Sequence, residues 1–255
     1  MTLLSADDPP PFTVEQPDGT SDFVLICDHA GRAIPKRLGS LGLTEAELET
    51  HIAWDLGIAG VSRALARRLD AFLITQTYSR LVIDCNRPPN SPQSIVTISE
   101  RTTIAANESL AAEERQQRAR EIFQPYHERI VAELDRRSAL GRRSIVVTMH
   151  SFTPVYLGEP RALHCGVLYL HETRLAHQVL RLLREDAELL VGENAPYAAT
   201  AATDYALVVH GEQRGLHCVE LELRQDLIAT PADHERWAER LEHVLRTARA
   251  AVVSG

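Results

Sequence analysis

No apolar run in this 255-residue sequence approaches the length of a membrane span. Such a span needs about 20 consecutive apolar residues, so no membrane-crossing helix is expected. The opening stretch MTLLSADDPPPF has neither a basic segment nor a long apolar core. No signal peptide is read there, and a cytoplasmic location is the default expectation. Lysine is almost missing: Lys36 is the only one, and arginine supplies the rest of the positive charge. The formal net charge of -8 and the pI near 5.8 argue against general affinity for nucleic acid or acidic membranes. A local pocket can still be positive while the whole is negative.

Paired cysteine motifs are missing too. Cys27, Cys85, Cys165 and Cys218 lie far apart, form no CxxC, and each sits in or beside an apolar run. Small buried thiols are expected rather than a disulfide framework. There is no internal repeat, no low-complexity tract and no HExxH zinc motif.

What is present is the make-up of an ordinary globular chain, 44% apolar and 24% charged. A chain of this length buries roughly three quarters of its unfolded surface and needs no staples. Residues 1–21, with Pro9 to Pro11, read as an extended arm, and residues 22–255 as one α/β domain.

Within that domain, strands are expected at Phe23 to Cys27, Ala71 to Gln76, Arg80 to Asp84, Ser144 to Met149, Gly166 to Leu170 and His217 to Leu223. Helices are expected at about Thr44 to His51, opened by a Thr44–Glu47 capping box, and at Ile58 to Leu69. Further helices are read at Ala111 to Leu140, Arg174 to Glu185 and Ala232 to Val253. The segment from Asn90 to Asn107 is polar and long enough for a lid or substrate loop. Alternating strands and helices point to a mixed, mostly parallel sheet with helices on both sides, a three-layer α/β/α sandwich.

In such folds ligands gather at the carboxyl ends of strands. The polar residues closing the apolar strands are Asp28 and His29, then Asp84, Asn86 and Arg87, then His150 and Ser151. In the last strand Glu220, Glu222 and Arg224 alternate onto one face. Two histidines and carboxylates converging from separate strands suit a catalytic zinc, which keeps one position open for water. Each piece also has a structural reading. A histidine after a strand can be a cap, Asn86 to Pro89 can be a simple turn, and Glu222 and Arg224 can pair on an exposed edge. The recurrence at several strand ends is what suggests chemistry.

The segments DHAGRAIP (Asp28 to Pro35), HIAWDLG (His51 to Gly57), SRLVIDCNRP (Ser79 to Pro88) and TMHSFTP (Thr148 to Pro154) resemble the N-formylglutamate amidohydrolase family. So do GVLY from Gly166, GENAPY from Gly192, HGEQRGL from His210 and ELRQDLI from Glu222. The resemblance implies a fold like the zinc carboxypeptidases and aminoacylases. It also implies a zinc ion, or another divalent metal, held by His29 and His150. Arg32 stands where the carboxypeptidase-type motif His-x-x-Glu has its acid, which leaves the third ligand open, with Asp55 in the HIAWD segment the first candidate and His51 the next. Asn86 and Arg87 resemble the pair that holds a substrate carboxylate, which the planar guanidinium fork suits. Arg80 and Arg224 are candidates for a second cationic contact.

Glu222 would be the general base and acid, Glu220 its understudy, and His210 either polarises the carbonyl or packs. The implied activity is hydrolysis of N-formyl-L-glutamate or a similar N-acyl acidic amino acid. Two alternatives stay open: a different N-acyl or peptide-like amide, decided by the 90–107 loop and the Tyr197 to Tyr205 region, or a non-catalytic module binding a small anion.

Overall fold

The computed structural model describes residues 2–253. Its main strands are β1 (Phe12–Glu15), β2 (Phe23–Cys27), β3 (Phe72–Gln76), β4 (Ile145–Phe152), β5 (Cys165–Leu168), β6 (Val191–Glu193) and β7 (His217–Arg224). They form one seven-stranded sheet in the order β1-β3-β2-β4-β7-β5-β6. The four central strands β3, β2, β4 and β7 run parallel, β5 and β6 run opposite to them, and β1 is antiparallel to β3. The sheet is mixed and mostly parallel, as the alternation of elements predicts.

Every residue of β2 and β3 is buried, as strands covered on both faces must be. Period-two alternation divides their side chains between two cores. Phe23, Leu25 and Cys27 pack with α2 (Ile58–Leu69), α5 (Arg174–Arg184) and α6 (Pro231–Val253). Val24 and Ile26 face the other side, toward Tyr126, Ile130 and Leu134 of α4 (Gln124–Ala139). Helices therefore cover both faces. Among the described residues, none of the helices is long and apolar enough to cross a membrane. The four cysteines are buried and unpaired.

Local signals account for most boundaries. The Thr44–Glu47 capping box opens α1 (Glu45–Leu48), a shorter helix than the spacing predicts. α2 matches its expected range. The long helix expected at 111–140 is broken: α3 (Ala112–Arg118) passes through a π-turn (Ala119–Phe123) into α4. Pro125 has no N–H to continue an α-ladder there, and the backbone widens. The N-terminal arm does more than lead in, since β1 lies within it and supplies an edge strand.

One expected strand is not a strand. Residues 80–82 form a turn and 83–84 are irregular, with Val82 N–H bonded to the Ser79 carbonyl and Asp84 N–H to that of Ser94. Leu81, Val82 and Ile83 are buried all the same, so the apolar run signals burial and says nothing of a ladder. The carbonyls that a strand would have paired are met by buried side chains. Asn107 Nδ2 donates to the Leu81 carbonyl, Arg118 Nη1 to that of Val82, and His127 Nε2 to that of Cys85. The 90–107 segment contains a two-residue hairpin, Ile98–Ser99 against Thr102–Thr103.

Gly57 sits between Asp55 and α2 with φ +80°, and an added Cβ would stand 2.2 Å from the Ile228 carbonyl oxygen. Gly57→Ala should cost at least ~2 kcal/mol and lower Tm by roughly 4–8 °C, read by thermal denaturation; an unchanged Tm would show that the turn can relax.

Candidate active site

The parallel ladder puts the chemistry at one end of the sheet. β2 ends at Cys27, and Asp28 and His29 follow it, both almost fully buried. In β4 and β7 the register sets Glu220 beside Thr148 and Glu222 beside His150. Val219, Leu221 and Leu223 point into the α2/α5/α6 core, so Glu220 and Glu222 project from the opposite face. Asp55 enters from the turn before α2, its N–H bonded to the His29 carbonyl at 3.0 Å. The turns at 79–87 add Arg80, Asp84, Asn86 and Arg87. A cavity of about 690 Å³ opens over this end of the sheet.

Three acceptor atoms converge at its base. His29 Nδ1 and His150 Nδ1 are 3.2 Å apart, and Asp55 Oδ2 lies 3.4 Å from the first and 3.1 Å from the second. Donors of a tetrahedral zinc ion, bonded at about 2.0–2.1 Å, stand roughly 3.3 Å from one another. The triangle has that size. Each imidazole is also oriented from behind. His29 Nε2 is 2.7 Å from Asp84 Oδ1, and His150 Nε2 faces Asp28 at 3.6 Å and Glu220 at 3.8 Å. The Asp84 bond fixes the Nε2–H tautomer of His29, and the acids near His150 Nε2 favour a proton on that nitrogen, so that both Nδ1 lone pairs aim at the same point. Such a donor set fits a divalent cation.

The electrostatics agree. Burial alone would raise the carboxyl pKa of Asp55, yet His29 and His150 hold it well below the usual range. Burial likewise opposes ionisation of Asp84, and His29 and Arg80 reverse it. Burial opposes charge on His150 too, but Glu220, Asp28 and Asp55 push its pKa far up. The surroundings thus favour positive charge at this point. Burial raises Glu220 to about 8 and lifts Glu222 well above the carboxylate range. Thr148 Oγ1 donates to Glu220 at 2.9 Å, whereas Glu222 Oε2 is buried with no partner.

A sequence model of the N-formylglutamate amidohydrolase family matches residues 21–229. The chain belongs to that family. Among solved structures, gene product Atu2144 from Agrobacterium tumefaciens is 36% identical with a TM-score of 0.95, covering 98% of this chain and 99% of its own. An N-formylglutamate amidohydrolase from Ralstonia eutropha JMP134 is 19% identical with a TM-score of 0.71, covering 97% of this chain and 100% of its own. No match was found among curated proteins.

In this family member the structure brings together His29, Asp55, His150, Glu220, Glu222, Arg80, Asn86 and Arg87, all lining the cavity. His51 stands at the wall, 3.2 Å from Glu100, and is outside the donor triangle. Arg80 is held by two acids, its Nη1 3.4 Å from Asp55 and its Nη2 3.0 Å from Asp84. Asn86 accepts the Ala206 N–H at 3.1 Å. Arg87 Nη1 donates to the carbonyls of Asn86 and Thr203.

Two expected site residues lie elsewhere. Arg224 bonds Asp226 and the carbonyls of Arg161, Ala162 and Leu163, because the strand ends there and its side chain turns back along the neighbouring loop. His210 is fully buried in a π-turn (Leu207–Gly211) and stacks on His127, away from the cavity lining. There it packs and forms a hydrogen bond to His127. Asp28 and Asp84, polar residues that close apolar runs, stand behind the His150 and His29 rings. His127, Asn107 and Arg118 gave no signal, since nothing in a helical pattern says which polar residue turns inward.

The two stacked histidines share one proton in a defined way. His127 Nε2 gives its proton to the Cys85 carbonyl, so its Nδ1 accepts from His210 Nε2, 2.8 Å away. Burial keeps both neutral, lowering His127 to about 4 and His210 to about 3 from 6.5. A histidine depressed on folding stabilises fully above pH 6.5, and that contribution is lost as pH falls toward 4 and 3. Urea denaturation should show the loss on acidification, and a His127→Gln/His210→Phe variant should lose less over the same window. Equal losses in the two proteins would place the acid sensitivity elsewhere.

Proposed function

We propose that the protein is a metal-dependent amidohydrolase that cleaves the amide of an N-acyl acidic amino acid, with N-formyl-L-glutamate as the reference substrate. The observation that carries this reading is the triangle of His29 Nδ1, His150 Nδ1 and Asp55 Oδ2 with the unpartnered Glu222 carboxyl beside it. A divalent ion, with zinc the best match to two imidazoles and a carboxylate, would lower the pKa of a water and polarise the amide carbonyl.

The chain's own residues do the rest. Asn86 and Arg87 hold a substrate carboxylate, the guanidinium offering the edge that is not bonded to the Thr203 carbonyl. Glu222 takes the proton of the attacking water and returns it to the leaving nitrogen, so that water and amide become formate and the free amino acid. Its burial supports this double use, because a desolvated carboxyl accepts and releases a proton more nearly in balance. Glu220 is bonded to Thr148 and faces the rear of the His150 ring, which suits an orienting role.

His150→Ala should abolish both bound metal and release of free amine. Glu222→Gln should keep the metal and lower kcat by ~10²–10⁴-fold. Metal analysis and a formate-release assay on the two variants check this. A fully active His150→Ala protein freed of metal would end the reading.

A further inference from the structure

An acidic amino acid carries two carboxylates, and neither Arg80 nor Arg224 is free to meet the second. The first is bonded to Asp55 and Asp84, the other to Asp226 and three carbonyls. Arg161 is placed differently. Its guanidinium lies 4.5 Å from the ring centre of Tyr156, 4.7 Å from that of Tyr197 and 5.8 Å from that of Phe152. All three rings line the cavity. Its Nη1 donates to Tyr197 Oη at 2.6 Å, and among the described residues it forms no ion pair.

Aromatic faces stabilise a cation without neutralising it, so this charge stays available to an anion. Tyr197 Oη accepts from Arg161, which leaves its own proton to donate. The backbone of Arg161 is held on both sides: its N–H bonds the Pro154 carbonyl at 2.8 Å, and its carbonyl accepts from Arg224 Nη1 at 3.1 Å. Arg224 thereby anchors the segment that carries this cation. Little ordering is left to be done on binding, which favours recognition.

We propose that Arg161, with Tyr197, forms a second anion subsite that receives the side-chain carboxylate of the substrate, while Asn86 and Arg87 hold the α-carboxylate. This rests on the amidohydrolase reading and makes Arg161 the residue that selects dicarboxylic N-acyl amino acids. The cavity of about 690 Å³ is roomy enough for a ligand spanning both positions.

The test compares N-formyl-L-glutamate with N-formyl-L-glutamine, whose side chain is isosteric and neutral. Wild-type kcat/KM should favour the glutamate by ~10–100-fold, the worth of a charge-assisted hydrogen bond. Arg161→Gln should lower kcat/KM for formylglutamate by ~10–100-fold more than for formylglutamine and so erase the preference, and Arg161→Lys should keep part of it. Equal loss on both substrates, or an unchanged preference, overturns the assignment.

Calorimetry of glutarate and butyrate on the metal-loaded protein gives a readout independent of turnover. Glutarate should bind more tightly, and Arg161→Gln should abolish the difference. Hydrolysis of neither substrate with Arg161-dependent glutarate binding would reject the amidohydrolase and keep the subsite. Hydrolysis of both without an Arg161-dependent preference would do the reverse.

Discussion

Buried negative charge is the constraint around which this end of the molecule is built. Asp28, Asp55, Asp84, Glu220 and Glu222 are all at most 6% exposed, and ions stripped of water are costly unless compensated. The protein's compensation is two guanidiniums, Arg80 and Arg87, and two imidazoles, His29 and His150. That is less positive charge than five ionised carboxyls require. The carboxyls answer in two ways: Asp28, Asp55 and Asp84 are held ionised, whereas burial pushes Glu220 and Glu222 toward their neutral forms. A divalent cation at the donor triangle would relieve the remainder, which is why site chemistry and folding electrostatics cannot be separated here.

Bringing these groups together depends on irregular backbone in an interior position. The 79–87 turns carry Arg80, Asp84, Asn86 and Arg87, and their residues 81–86 are buried. Buried carbonyls outside a ladder need donors, and Asn107, Arg118 and His127 supply them. Two of the three lie on either side of the π-turn that divides the long helix. The interruption in α3 and α4 thus has a use, since it lets residues on both halves reach the same buried loop. His210 supports that arrangement from behind by fixing the proton on His127.

The arginines near the cleft show how one residue type is given different tasks by its neighbours. Paired with two acids, Arg80 is part of the electrostatic frame. Bonded to three carbonyls and an acid, Arg224 is a brace for the loop at 161–163. Set among aromatic rings, Arg161 has no ion-pair partner among the described residues. Arg87 has carbonyl neighbours on one side and the cavity on the other. Side-chain identity is common to all four, and environment separates their roles.

Much of this was legible in the residues themselves. Apolar runs ending in Asp28-His29 and His150 give strands and site residues together, because a parallel sheet buries its strands on both faces and exposes their ends. Alternation along β7 places Glu220 and Glu222 on one face for the same geometric reason. Asp55 lies in a segment that resembles the family where Arg32 departs from it, and the structure sets it beside both histidines. What tertiary structure alone decided was which polar groups meet.

A run such as LVI at 81–83 is equally apolar in a strand or a buried turn, since burial depends on what covers it and not on local period. That Arg224 braces the 161–163 loop while Arg161 sits against Tyr197, and that His127 and His210 stack on each other, depends on contacts between residues 36 to 83 positions apart. Those contacts leave no periodic trace in the chain, because periodicity records only which side of an element is covered and never by which partner.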